Sequence, residues 1–515
     1  MPVRRSHLII GIVLALIAVV AIGVFWILTV PPPLERMLQA RVEQALSEHF
    51  HRDVQLHNLR VTLVPAFIVS ADDFVLPNRD PATQPAFITI KHFNAEANPL
   101  GLLRSPIHVT KLRLEGLVIK IPPKDGSTSG EGAKPKKLHH LANFVIDRVN
   151  ADGTLLYVLP KDSDGDPLEF DIRKLDLASA GIGEPMKFHA ELTNPKPPGD
   201  IHSTGNFGPW NMGEPSDTPV GGHYVFEHAD LSVFNGISGI LSSTGDYSGL
   251  LNNIAVDGTT DTPDFALDRG ARPVHLTTRF HAIVDGTSGN TYLQPVEASF
   301  LHSHVIAKGE VAGQKGRKGK AIRLDIDVHD SRVEDMLELA TKKGSSLLTG
   351  SMMTQAKLVI PPGDQRVLDK ISLAGRFQVK DGQFTNPDIQ SKLDGLSRRG
   401  QGKPEDVELH NVPAQFEGVF LLRSGQMSFS QLDFHVPGVE VQLKGAYSIR
   451  QEDLDFTGDV RLQATVSHTM TGVKRWIAVP LDPLFKKKGA GTYLPVKVEG
   501  SKDKPKIELE WKKVL

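Results

Sequence analysis

The sequence predicts a mainly β chain behind one N-terminal membrane helix. Apolar residues recur with a period of two from Val54 to the last residues, and the positions between them carry Arg, Asp, Lys, His, Gln or Thr. Such alternation marks antiparallel strands with one apolar and one wet face. The 46 glycines and 35 prolines, together with turn clusters such as VKDGQ, VDGTSGN and GQKGRKGK, cut the pattern into about 25 to 30 short strands. Ahead of them, no Asp, Glu, Lys or Arg stands between Ser6 and Pro33.

The apolar run from Leu8 to Val30 rises roughly 34 Å as a helix, enough to cross a bilayer's hydrocarbon core. It ends FWILTVPPP, without the small-x-small cleavage site of a secretory signal, and so reads as an uncleaved signal anchor. Arg4 and Arg5 precede it and favour a cytoplasmic N-terminus, while Arg36 and Arg41 follow soon after. Pro31 to Pro33 stop this helix and start another. In LERMLQARVEQALSEHF, residues Leu34, Leu38, Val42, Leu46 and Phe50 share one helical face. That helix rests at the membrane surface or caps the first strands, and the two placements are compatible.

Five runs show the strand period most plainly. RPVHLTTRFHAIVDG aligns Leu276, Thr278, Phe280, Ala282 and Val284; AIRLDIDVHD aligns Ile322, Leu324, Ile326 and Val328. ISLAGRFQVKDG aligns Ile371, Leu373, Phe377 and Val379, with Gly375 between. DVRLQATVSH aligns Val460, Leu462, Ala464 and Val466, and KIELEW aligns Ile507, Leu509 and Trp511. Helices are few. Ser331-x-x-Glu334 has the form of a capping box opening SRVEDMLELATKK. Asn386-Pro387 can cap and start a helix running toward Ser397. TMTGVKRWIAVPLDPLFKKKG holds a third, interrupted at Pro480. PPKDGSTSGEGAKPKK, from Pro122 to Lys137, is either a domain boundary or a long loop on a continuous sheet. The divisions are residues 1–33 (stub and anchor), 34–121 (helix and first strands), 122–142 (flexible loop), 143–466 (central strands) and 467–515 (C-terminal end).

Composition narrows the chemistry. No cysteine is present, which excludes disulfides, thiolate metal sites and cysteine nucleophiles. A net charge of −2 gives no field that favours nucleic acid. DSDGDP sets Asp162, Asp164 and Asp166 like a calcium loop, but Pro167 replaces the glycine and Arg173 the final glutamate. GQKGRKGKA has the wrong glycine spacing for a phosphate loop and Ala321 in place of Ser or Thr, so it reads as a hairpin tip. His302-x-His304 and His139-His140 lack a further ligand at metal spacing. No GxSxG, HExxH or βα-placed GxGxxG appears. The reading is of a non-enzymatic chain with no metal or cofactor.

A one-sided sheet must cover its apolar face. Periodicity leaves two solutions open: stacked β-sandwiches, or one long sheet curled into a gutter whose inner face is left for something apolar, such as acyl chains. At about 4.8 Å per strand, 25 to 30 strands in a row extend roughly 120 to 145 Å.

The opening ALSEHFHRDVQLHNLRVTLVPAFIVSADDFVLPN, the middle segments GNFGPWN, ADLSVFNGISGILSSTGDYSG, DFAL and VDGTSGNTYLQPVEASF, and the C-terminal LDFHVPGVEVQLKGAYSIRQEDLDFTGDVRLQATVSHTMTGVKRW and LDPLFKKKGAGTYLPVKVEGSKDKPKI resemble the AsmA-like proteins of bacterial envelopes. These are related to TamB and to the chorein-type bridge-like lipid transfer proteins. The resemblance implies an elongated, curled antiparallel sheet forming a β-groove. It implies a protein anchored in the inner membrane with its bulk in the periplasm, carrying phospholipid toward the outer membrane or supporting outer-membrane assembly. The groove candidates are then Leu276, Phe280, Val284, Leu324, Ile326, Val328, Leu373, Phe377 and Val379, each serving as lipid contact or ordinary strand core. A scaffold that binds an outer-membrane assembly factor without carrying lipid is the alternative. Lys474, Arg475, Trp476, Ile477, Val479, Leu481, Leu484, Phe485, Lys486, Lys487 and Lys488 mix apolar and basic residues. They suit a segment resting on an anionic membrane or a helix plugging the end of the sheet.

Overall fold

The structure is a computed structural model. It describes Glu43, Gln44, Ser47 and residues 53–62, 67–77, 85–98, 107–121, 144–159, 167–181, 185–209, 217–267, 272–286, 288–314, 317, 319–340, 346, 348–406, 409–469, 491–501 and 505–509. The proposed anchor at 8–30, the loop at 122–142 and the basic segment at 474–488 lie outside the described residues. Among those described, no helix is long and apolar enough to cross a membrane. Glu43, Gln44 and Ser47 are helical, as expected, and tie to the first strand: Ser47 Oγ accepts from the Val54 amide at 2.9 Å and Glu43 Oε1 from that of Leu56 at 3.1 Å.

The chain is mainly β, with a long antiparallel sheet and few helices. It forms two compact units: Met1–Asp230 with Leu241–Thr260 and Ala282–Asn290, and Leu231–Ile240 with Asp261–His281 and Thr291–Leu515.

The first unit opens with β1 (Gln55–Thr62), β2 (Phe67–Leu76) and β3 (Ile88–Ala97), paired antiparallel in order. In β2 the buried positions are Phe67, Val69 and Ala71, then Phe74 and Leu76. Asp73, at φ 48°, is the extra residue that switches the parity. Asp tolerates this left-handed conformation better than most residues, and one such residue makes a bulge. Next come β4 (Ile107–Val109), β5 (Lys111–Glu115), β6 (Val118–Ile121), β7 (Phe144–Asn150) and β8 (Thr154–Val158). Here the expectation of a purely antiparallel sheet needs correction: β4 and β5 pair parallel with β7, and β6 parallel with β8. Parallel neighbours require a crossover of a dozen or more residues, and the stretch between Ile121 and Phe144 is long enough to supply it. The apolar side of these strands is sealed: Phe74, Phe93 and Ile146 are 0% exposed. Antiparallel order resumes through β9 (Leu168–Gly181), β10 (Met186–Pro195), β11 (Pro198–Phe207) and β12 (Pro219–Asp230). The strand β14 (Ile240–Leu250) then pairs with β12, after a short β13 (Ile237–Ser238) that pairs with the end of β15 (Asn253–Leu267). Residues of β15 and of β16 (Val274–Val284) are shared between the units.

Among its described residues the second unit includes a run of eleven strands, each paired antiparallel with its neighbour in sequence: β17 (Thr291–Phe300), β18 (Ser303–Gly313), β19 (Lys320–Arg332), β20 (Leu348–Ile360), β21 (Ser372–Phe384), β22 (Ala414–Arg423), β23 (Gln426–Val436), β24 (Val439–Ser448), β25 (Asp453–Leu462), β26 (Thr492–Ser501) and β27 (Lys506–Leu509). GQKGRKGK is the tip between β18 and β19, as expected. The alternation at Ala464 and Val466 does not continue β25; Val466 opens a short 3-10 turn.

Among the described residues, helices α1 (Val333–Ala340), α2 (Val367–Lys370) and α3 (Pro387–Gly400) accompany the strands. The expected capping box at Ser331 and Glu334 does not form. A bulge at Asp330 (φ 51°) leaves Ser331 in β19. There its hydroxyl donates to the His304 carbonyl at 3.0 Å, while Glu334 accepts from the Gly350 amide at 3.1 Å. Asn386 does cap α3, its Oδ1 accepting from the amides of Asp388 (2.9 Å) and Ile389 (3.3 Å). The helix seats Leu393 against Val412, Ala414, Val436, Val439 and Leu462. It is pinned by the buried Asp394, which accepts from the amides of Asn411 (3.1 Å) and Val412 (3.0 Å) and from Gln390 Nε2 (2.9 Å).

Candidate functional site

Directly opposed residues of paired strands point to the same side of a sheet, so the register of the second unit fixes its two faces. Leu324, Leu358, Leu373, Leu422 and Met427 form one row across β19 to β23. Ile326, Ala356, Gly375, Phe420, Phe429 and Gly445 form the next, reaching β24. Val328, Thr354, Phe377, Gly418, Leu432 and Leu443 form a third. Val379, Phe416, Phe434, Val441, Val460 and Leu494 form a fourth, from β21 to β26. No charged residue stands in any row. Thr354 is the polar member, and its hydroxyl is buried with no hydrogen-bond partner.

Six of the nine predicted groove residues, Leu324, Ile326, Val328, Leu373, Phe377 and Val379, therefore share this face. Leu276 and Phe280 share one side of β16 with Ala282, which is 2% exposed, but belong to the second unit, whereas Val284 falls in the first. Sequence reasoning missed much of the rest of the face, Leu358, Phe416, Phe420, Phe429, Leu432 and Leu443 among it. The alternation in VEVQLKGAYS was there to find. In β23 the parity breaks between Phe429 and Leu432, where the pairing register shifts.

Much of the face is only partly buried. Leu324, Ile326, Leu358, Leu373, Phe377, Phe420, Phe429 and Leu443 are half-buried, while α3 covers the ends of β22 to β25. Four of its rings, Phe377, Phe420, Phe429 and Phe456, each face a glycine on a neighbouring strand. Phe377 opposes Gly418, Phe420 opposes Gly375, and Phe456 opposes Gly445. A Cβ on Gly418 would stand 2.8 Å from the Phe377 ring, and one on Gly445 2.9 Å from that of Phe456. The rings meet as a chain: Phe377 to Phe420 at 6.2 Å between centroids, Phe377 edge-on to Phe429 at 6.4 Å, and Phe429 to Phe456 at 5.8 Å.

The opposite face is charged and wet. Arg323 pairs with Glu310 (2.6 Å) and Lys357 with Asp325 (3.5 Å), and Arg376 donates to Gln355. A cavity of about 1050 Å³ opens on this side, where Ile306, Val419 and Leu421 are exposed among Lys308, Asp325, Lys357 and Arg376. The concavity thus falls on the side opposite the uncharged rows; its lining mixes exposed apolar side chains with charged ones, and those charges oppose burial of a hydrocarbon chain. In the first unit the wet face carries the Asp72–His92 pair, Oδ1 to Nδ1 at 2.7 Å. That hydrogen bond, with one from Asn58, holds the Asp72 carboxyl below its ordinary value.

Among the described residues no group of His, Asp and Glu is placed to hold a metal ion. His304 Nδ1 instead pairs with Ser299 Oγ at 2.9 Å, and His302 lies 3.7 Å from Asp335. Trp476, Ile477, Leu484, Phe485 and Lys486 to Lys488 lie outside the described residues. No family model, curated protein or solved structure matches the chain.

Proposed function

We propose that the uncharged face of the second unit holds acyl chains, and that the protein is an AsmA-like envelope protein. In this reading it is anchored in the inner membrane, projects into the periplasm, and binds or conducts phospholipid between inner and outer membrane without enzymatic chemistry. One observation carries the proposal: four rows of uncharged, mostly apolar side chains lie between β19 and β26, and many of them, Leu324, Ile326, Leu358, Phe377, Phe420, Phe429 and Leu443 among them, stay half-buried. An ordinary core of this size would be sealed, as Phe74 and Phe93 are in the first unit. Each methylene moved from water onto such a face contributes about 0.8 kcal/mol, so ten methylenes contribute on the order of 8 kcal/mol at full burial. Headgroups would remain in water. The Leu8–Val30 run supports the membrane placement, and the resemblance noted above supports the family.

Site-specific photo-crosslinking of the full chain in cells tests this directly. A photoreactive residue at Phe420 is expected to form phospholipid adducts, and one at Arg376, on the wet face beside the cavity, to form none. Adducts at Arg376 alone would move the lipid path to the other face. Adducts at neither position would favour the scaffold.

A further inference from the structure

Strands β11, β12 and β14 of the first unit carry an anomaly on the side that is apolar elsewhere. Their same-face residues include Ser203, Tyr224, Ser243 and Tyr247, where the neighbouring strand β10 offers Phe188 and Leu192. The tyrosine rings lie 6.4 Å apart over glycines: a Cβ on Gly222 would stand 3.0 Å from the Tyr247 hydroxyl, and one on Gly245 3.0 Å from the Tyr224 ring. Both rings are half-buried.

Counting protons shows what these hydroxyls have to spare. Ser203 Oγ is 3.0 Å from the His223 carbonyl, which can only accept, so the serine proton is committed there. Tyr247, 2.8 Å from Ser203 Oγ, must therefore donate to it. The second pair repeats the arrangement: Ser243 donates to the Thr259 carbonyl at 2.9 Å and Tyr224 donates to Ser243 at 3.0 Å. Each phenol has used its one proton and keeps oxygen lone pairs that can only accept. Burial also pushes both phenols up in pKa, against the opposing pull of the serine hydrogen bonds, which keeps them protonated. Phenylalanine at both positions would have kept the face apolar with the same ring shapes.

We propose that Tyr224 and Tyr247 form a polar station on this face of the first unit that accepts a hydrogen bond from a bound lipid, selecting lipids whose chain or backbone carries a hydroxyl or amide N–H. This rests on the acyl-binding reading above, extended to this face of the first unit, and adds the class of lipid. A plain diacyl ester offers only acceptors in its apolar part, so it leaves both phenol oxygens unmatched. A hydroxylated chain supplies the missing donor.

Native mass spectrometry of the full chain released from detergent, with equal amounts of methyl palmitate and methyl 3-hydroxypalmitate, reads the preference as a ratio of bound species. One net hydrogen bond of about 0.5 to 1.5 kcal/mol predicts a two- to twelvefold excess of the hydroxy ester. Y224F/Y247F should bring the ratio to about one. S203A/S243A frees the phenol protons to meet an ester carbonyl, so occupancy by the plain ester should rise, which a merely structural role for the network would not produce. A ratio of one in the unaltered protein, or a ratio that persists in Y224F/Y247F, overturns the station while leaving the acyl-binding face intact. Binding of neither ester to the unaltered protein overturns both.

Discussion

At Gly418 a single hydrogen stands where any other residue would place a carbon 2.8 Å from the Phe377 ring and 3.0 Å from the Gln431 carbonyl. The glycine is thus part of the ring's seat. Gly418→Ala is expected to lower stability by about 1 to 3 kcal/mol through overpacking, read as a drop in the unfolding midpoint. Much of that loss should disappear when Phe377 is also replaced by leucine, because two residues in contact are coupled. Additive effects would show that the ring does not rest there. Phe377 was legible as an apolar strand position. Its glycine partner was not, since the pairing of β21 with β22 spans α3 and no local pattern announces it. Likewise Tyr224 and Tyr247 sit in a period-of-two run that hides their difference from phenylalanine until the serines across the strands are known.

Helix α3 shows how a short element controls part of the face. Its start was readable in Asn386-Pro387, because capping is local chemistry. Its anchor was not readable: Asp394 is 6% exposed and serves amides on a segment seventeen and eighteen residues away. Asp394→Ala strips those two amides of their acceptor, and unsatisfied buried donors cost about 1 to 3 kcal/mol each. The expected outcome is faster hydrogen exchange at Asn411 and Val412 and loosening of α3 from Val436 and Val439, with the β17–β20 ladder still protected. Unchanged exchange at those two amides would show that the carboxylate does not hold the helix. The failed capping box at Ser331 makes the complementary point. The motif was present, but the bulge at Asp330 kept the serine in the strand, and a left-handed residue is invisible to a pattern search when it is not glycine. Asp73 and Asp381 (φ 48° and 53°) repeat the device in β2 and β21.

Across the chain, the β class and the turn at GQKGRKGK were legible because alternation and punctuation are local. The parallel pairing of β4 to β8 and the division into two units were not, since both depend on which distant strands meet. Charge is arranged by side and not by net value, which is only −2. Retention of lipid on an uncharged face should therefore ignore ionic strength. Raising salt from about 0.1 to about 1 M shortens the screening length from about 10 to about 3 Å, yet the phospholipid co-purifying with the chain is expected to change by less than about twofold. A tenfold loss would assign retention to headgroup charges on the wet side. The nearest-neighbour order of β17 to β27 has a further consequence. No strand in that run depends on a distant partner, so one hairpin can be removed or duplicated and the flanking strands can still meet with direction and facing preserved. Removing a single strand would instead reverse the direction of everything after it. The run is in effect a modular ruler, open to lengthening or shortening by descent in steps of two strands, about 10 Å each.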